Sequence, residues 1–187
     1  MNRYTCMQGR SHRPRVGVLA AFLVSASACT PDLPPALGDP IPDAAFTVVD
    51  PTGTDWSVGD RVMLSDFEGK PVIMDFWASW CGPCRQQHEY VMGLEEKYGD
   101  AVQILGVVFE DSDENARAWL TEHGATYPTV REVDRTIVDE FWISGIPHFI
   151  MTTSDRRLSW DMLGTGDWSA DSVTTRLAEM TGRDGRD

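Results

Sequence analysis

The stretch Pro71-Val72-Ile73-Met74-Asp75-Phe76-Trp77-Ala78-Ser79-Trp80-Cys81-Gly82-Pro83-Cys84 decides how this chain folds. Its first seven residues are almost continuously apolar and β-forming, the pattern of a strand buried on both faces. A helix is predicted from near the second Cys to about Tyr98, with Gly99 as C-cap and Val91, Leu94 and Tyr98 as its apolar stripe. Cys81 therefore falls at a strand-to-helix junction, where unpaired amides and the helix dipole favour an anion. Gly82 permits the tight turn. Pro83 fixes φ within the first helical turn, where its missing N–H costs nothing.

Outward from this segment, strands are predicted over 42–50, Arg61 to Leu64, Val102 to Phe109, Pro147 to Met151 and Arg157 to Leu163. A second helix over 112–123 opens with Ser112-Asp113-Glu114, acids at the positive helix end, with Ala116, Trp119, Leu120 and His123 as its stripe. A third, over 134–142, buries Ile137, Val138, Phe141 and Trp142; a last, over 168–180, has Ala170, Val173, Leu177 and Met180 on one face. Thr181 to Asp187 are expected to fray. The order predicts an α/β fold, a central mixed sheet flanked by helices.

The N-terminus reads differently. Residues 1–15 carry Arg3, Arg10, Arg13 and Arg15 with no acid, and a 13-residue apolar run from Val16 to Ala28 follows. A basic head, a short apolar segment and small residues before a cut make a secretory signal over 1–28, too short for a span of roughly 20 residues. The Pro-rich stretch from Thr30 to Pro40 suits a tether, here 29–41, ahead of a domain over 42–182 and a disordered tail over 183–187. The whole chain of 187 residues has net charge −13. Removing the four Arg leaves 12 basic against 29 acidic residues, a net of −17. That excludes a nucleic-acid footprint, which needs clustered Lys and Arg. The six tryptophans other than Trp80 fit core or half-buried positions.

With Cys6 in the signal and Cys29 at the cut, only Cys81 and Cys84 lie within the domain. Two Cys three positions apart close too small a loop to stabilise a fold, so the pair is chemical rather than architectural. Cys81 is the candidate nucleophile. Cys84, one turn further and more buried, is placed to attack a mixed disulfide formed at Cys81. Half a zinc site is the competing reading, but no second Cys pair exists and the four His are scattered. His88 would complete only a Cys-Cys-His cluster and is otherwise a surface or helix-face residue, so no metal is expected.

The run Asp75 to Cys84 closely resembles the thioredoxin active-site segment, and Gly145-Ile146-Pro147 resembles that family's cis-proline loop. The two strands before the active site and Leu105-Gly106-Val107-Val108-Phe109-Glu110-Asp111 resemble the exported TlpA-like (ResA-like) branch, over roughly 42–180. The resemblance implies a thioredoxin-like fold with an N-terminal strand extension and a thiol–disulfide oxidoreductase. It makes Cys81 the attacking and Cys84 the resolving thiol, with no cofactor beyond their redox-active disulfide. Asp75 becomes the buried carboxylate beneath the disulfide, where the exported branch more often has Asn. Trp80, Gly82, Pro83, Ile146 and Pro147 become the substrate surface. Departures are Glu89 where a helix proline is usual, Gln87 where ResA-like proteins often carry Glu, and His148 after Pro147 where Thr is common.

Cys29 after Ala26-Ser27-Ala28 resembles the lipobox of bacterial lipoproteins, with Ala26 in place of the usual Leu. It implies lipidation at Cys29 and a membrane-anchored envelope protein, a soluble secreted form being the alternative. The expected partners are disulfides of exported proteins, including apocytochrome c, and a membrane thiol carrier as electron donor; the chain is expected to be a monomer. A copper-handling or thiol-binding chaperone using Cys81, Cys84 and His148 is the second function. Against it, Sco-like copper proteins space their Cys by three residues. A peroxiredoxin-like peroxidase would need Pro-x-x-x-Thr-x-x-Cys, and Met74 and Ala78 stand at the Pro and Thr positions.

Overall fold

The computed structural model describes residues 33–164 and 170–183, with the side chains of 170–172 left aside. From Pro34 onward the chain forms one compact unit. Its elements are β1 (Ala45–Asp50), β2 (Arg61–Met63), β3 (Val72–Trp77), α1 (Gly82–Tyr98), β4 (Gln103–Val108), α2 (Asp113–His123), β5 (Thr129–Glu132), α3 (Thr136–Glu140), β6 (His148–Thr152), β7 (Leu158–Leu163) and α4 (Ala170–Thr181). A single 3-10 turn, Leu64–Phe67, follows β2.

The strands form one seven-stranded sheet in the order β2-β1-β5-β4-β3-β6-β7. β3, β4 and β5 run parallel, while β1, β2, β6 and β7 join as antiparallel neighbours. This is the predicted α/β architecture with its N-terminal strands. β3 lies between β4 and β6 with all six residues buried, as its unbroken apolar run demands. Alternation sorts its side chains: Val72, Met74 and Phe76 join a core with Leu105, Val107, Ile150 and the α3 residues Ile137 and Val138. Ile73 packs with Val91 and Leu94 of α1 and Leu177 of α4. Trp77 packs with Cys81, Cys84 and the α2 residues Ala116, Trp119 and Leu120.

The helix ends follow their sequence signals. Ser112 Oγ caps α2 by accepting the Asn115 amide at 3.1 Å, and Gly124 ends it with φ +64°, a conformation that costs glycine nothing. Gly99 caps α1 as predicted.

Four expectations need correcting. β5 was not predicted; three of its four residues are polar, with Arg131 reaching back to Asp113. α3 is shorter than 134–142, and Trp142, expected in the core, is 58% exposed. The chain leaves the helix at Trp142 with φ +51°, which carries that ring outward. Part of the expected tether is packed: Ile41 is buried, Pro40 bridges Arg157, and the Gly38 amide donates to the Leu158 carbonyl at 2.8 Å. At the other end α4 continues to Thr181, and Arg183 pairs with Asp100. Residues 1–32, on which the expected signal and Cys29 fall, and Trp168 lie outside the described residues.

Candidate active site

β3 delivers the chain to the dithiol. Past Trp77 it turns through Ala78-Ser79-Trp80, with the Cys81 amide donating to the Ala78 carbonyl at 3.0 Å. The end of β4 holds this turn from the side. Asp111 Oδ2 accepts the Ser79 amide at 2.7 Å, and Trp80 Nε1 donates to the Glu110 carbonyl at 3.2 Å. Asp111 is itself fixed: its Oδ1 accepts the Ser112 amide, and its carbonyl accepts Arg131 Nη2 at 2.7 Å. Burial pushes the Asp111 carboxyl up, but its hydrogen bonds with Ser79, Ser112 and Asn115 outweigh that and hold it below the usual carboxylate range.

Cys81 is the N-cap of α1 and is joined to Cys84, with an S–S distance of 2.00 Å and Cα atoms 5.3 Å apart. The Cys84 amide donates to Cys81 Sγ at 3.2 Å, so a backbone N–H of the first turn already points at the sulfur that would carry negative charge. Cys81 is 5% exposed and Cys84 3%. Trp80 beside them is 62% exposed. Gly82 and Pro83 occupy the first helical turn, as predicted, and are exposed. On the far side of β3, the Ile146–Pro147 bond leading into β6 is cis. Ile146 packs partly buried against the cluster that holds Cys81 and Cys84, so these two predicted segments meet.

Asp75, two residues before Trp77, is 2% exposed, as the apolar run around it implied. Burial is the largest influence on it and pushes its carboxyl up to about 7; hydrogen bonds from Gln87 and Tyr127 partly oppose this. Gln87 lies one turn past Cys84 on α1, and its Nε2 donates to Asp75 Oδ1 at 2.8 Å. Next to it His88 is 3% exposed, neither a surface residue nor paired with the dithiol. Its Nδ1 sits 2.8 Å from the Tyr127 hydroxyl, and its ring meets Trp119 nearly edge-on at 4.8 Å. Gln87 was read only as a departure from a family pattern. Its i+3 spacing from Cys84 was the signal that could have placed it under the dithiol. Tyr127, from the α2–β5 connection, had no local signal.

Gly106 makes room for this cluster. It stands between Asp75 on β3 and Thr129 on β5 in the sheet register. A Cβ there would come within 2.7 Å of Thr129 Oγ1, 3.0 Å of Trp77 Nε1 and 3.1 Å of the Tyr127 ring. His148 is buried against Phe76, and its Nε2 lies 2.5 Å from Asp161 Oδ1 on β7, which ties up that nitrogen. Among the described residues no group of three His, Cys, Asp or Glu is placed to hold a metal ion.

A model of the AhpC/TSA family matches residues 37–157, well over half of the chain. The chain belongs to the AhpC/TSA family. Within it, the chain is similar to the thiol-disulfide oxidoreductase ResA of Bacillus subtilis, 27% identical over 108 residues, which are 57% of this chain and 60% of ResA. It is also similar to the thiol:disulfide interchange protein HelX of Rhodobacter capsulatus, 32% identical over 94 residues, 49% of this chain and 52% of HelX. The AhpC/TSA chain thus spans half to three fifths of the length of these curated relatives. A structure described as thiol:disulfide interchange protein DsbE from Chlorobium tepidum superposes with a TM-score of 0.67 at 23% identity, covering 79% of this chain and 99% of that one. That likeness establishes the thioredoxin-like fold.

Proposed function

We propose that this chain is a thiol–disulfide oxidoreductase that reduces disulfides of exported proteins through Cys81 and Cys84. The observation that carries it is the buried Cys81–Cys84 disulfide at the start of α1, with a first-turn amide on Cys81 Sγ and an exposed Trp80 beside it. In the reduced protein the Cys81 thiolate attacks one sulfur of the substrate disulfide. The substrate S–S bond breaks, and its first sulfur leaves as a thiolate that takes a proton from water. Cys84 then gives its proton to Asp75 and attacks Cys81 Sγ. The Cys81–Cys84 bond forms, and the second substrate sulfur leaves, so two electrons pass to the substrate. A thiol as buried as Cys84 ionises reluctantly at neutral pH. Asp75, held near 7, is matched to accept its proton there. An extended substrate would lie on the exposed Trp80, Gly82 and Pro83 beside the half-buried Ile146, while Pro147, also expected at this surface, is buried.

Names of the similar proteins, ResA and HelX, support disulfide exchange. We assign apocytochrome c as a candidate substrate, with a membrane thiol carrier returning the electrons. Lipidation at Cys29 would keep the protein at a membrane of the cell envelope. Fractionating cells that make the wild type and Cys29→Ala checks the anchor: the variant should move to the soluble fraction. The test of the function is reduction of insulin disulfides by the purified, dithiothreitol-recycled protein. Rapid precipitation of the B chain is expected, and it should vanish in Cys81→Ser. Wild-type rates equal to dithiothreitol alone would contradict the reading.

A further inference from the structure

The dithiol turn is bracketed from the side by the corner where β4 passes into α2. Trp80 Nε1 donates to the Glu110 carbonyl at 3.2 Å, and the Ser79 amide donates to Asp111 Oδ2 at 2.7 Å. Two successive residues of the corner thus hold two successive residues of the turn. Glu110 adopts φ +47°, a left-handed conformation that is uncommon outside glycine and persists where the surroundings enforce it. The direction of its carbonyl follows from that conformation, and with it the position of the Trp80 ring.

The corner needs an anchor from elsewhere, because its own sequence works against it. Glu110, Asp111, Asp113 and Glu114 place four carboxyl groups within five residues, and like charges this close repel. Arg131 supplies the anchor with one guanidinium. Its Nη2 donates to the Asp111 carbonyl at 2.7 Å and to Asp113 Oδ1 at 2.5 Å, and the same oxygen accepts its Nε at 2.8 Å. The planar fork therefore spans the corner and the first turn of α2, which a single ammonium could not do. The arginine's backbone is held in the sheet: it pairs with Thr47 of β1, and Val130 before it pairs with Val107 of β4. The ion pair is partly exposed, so the geometry it imposes matters more than its attraction.

We propose that Arg131 is a positioning residue for substrate binding: it holds the Glu110–Asp111 corner and, through it, fixes the exposed Trp80 ring beside Cys81. An exposed aromatic ring changes rotamer freely unless something holds it. A ring that is already fixed loses less freedom when a substrate covers it. The benefit falls on binding rather than on the sulfur chemistry, because Arg131 bonds Asp111 and Asp113 and not the dithiol. The inference rests on the reading of Trp80 as part of the substrate surface, and it names the residue that keeps that surface in place.

The test compares two variants of the full-length protein: Arg131→Met, which keeps the stem and loses the fork, and Arg131→Lys, which keeps the charge. The indole ¹H–¹⁵N resonance of Trp80, assigned by its loss in Trp80→Phe, reads the ring directly. In both variants it should lose hydrogen-exchange protection and show faster side-chain motion, while the resonance of the buried Trp77 indole stays as in the wild type. KM for insulin should rise about fivefold in both, with kcat changed by less than about twofold, because the loss is in binding. Arg131→Lys should recover thermal stability without recovering KM, which separates the fork from the charge. A Trp80 signal unchanged in both variants, a wild-type KM in Arg131→Lys, or a kcat that falls while KM holds overturns the proposal. Should Arg131→Met fail to fold, Arg131→Lys decides by the same readings. A wild type inert towards insulin contradicts the reductase reading, and the Trp80 signal then decides the positioning alone: a ring released in Arg131→Lys supports it and a ring still fixed overturns it.

Discussion

Gln87 Nε2 donates to Asp75 Oδ1 at 2.8 Å, linking the helix that carries the dithiol to the carboxyl buried on the central strand. Gln87 follows Cys84 by one helical turn, so any movement of the Cys84 turn is felt at the carboxyl. The same amide stabilises the ionised form of Asp75 against its burial. Without it the carboxyl would lie higher still.

Stability should report that burial. A carboxyl at about 7 in the folded chain and 3.8 unfolded binds its proton more tightly when folded. Its favourable contribution is therefore complete below pH 4 and is lost as pH rises from about 4 to 7. The loss is on the order of 4 kcal/mol, at 1.36 kcal/mol per unit. Urea unfolding of the oxidised wild type and Asp75→Asn should give a difference near zero at pH 4. By pH 8 the variant should be the more stable by a few kcal/mol.

Kinetics should separate attack from resolution. In Asp75→Asn, attack by Cys81 on a model disulfide should be little changed, while release slows by about 10²-fold near pH 7. Stopped-flow reduction across pH 6 to 9 should show mixed disulfide accumulating in the variant and clearing as pH rises. Matching phases in both proteins would reduce Asp75 to a structural role.

Asp111 should matter for the turn rather than the chemistry. Asp111→Ala removes the acceptor of the Ser79 amide and should cost about 1–3 kcal/mol of stability. Hydrogen exchange should show Ser79 losing protection while β3 keeps its own, and Asp111→Asn, which retains an acceptor oxygen, should restore part of it.

Much of this was legible in the chain. The run Val72–Trp77 ending in Cys81-Gly82-Pro83-Cys84 announces a buried strand feeding a helix, and Asp75 inside it reads as buried because Met74 and Phe76 flank it. What stayed hidden depends on tertiary contact. β5 is too short and polar to signal itself, since Thr129 and Arg131 are accommodated by β4, β1 and Asp113 rather than by an apolar pattern of their own. Tyr127, just before it, packs its ring over Gly106, where any side chain would collide with it. Trp142 looked like core by its helical spacing and is exposed, because α3 ends before it.

The most direct measurement is to trap the exchange intermediate. Reduced Cys84→Ser is incubated with a peptide disulfide, quenched in acid and mapped by mass spectrometry. The account predicts a stable mixed disulfide at Cys81, absent from Cys81→Ser and short-lived in the wild type. A Cys84→Ser protein that forms no adduct yet still turns over substrate would contradict it.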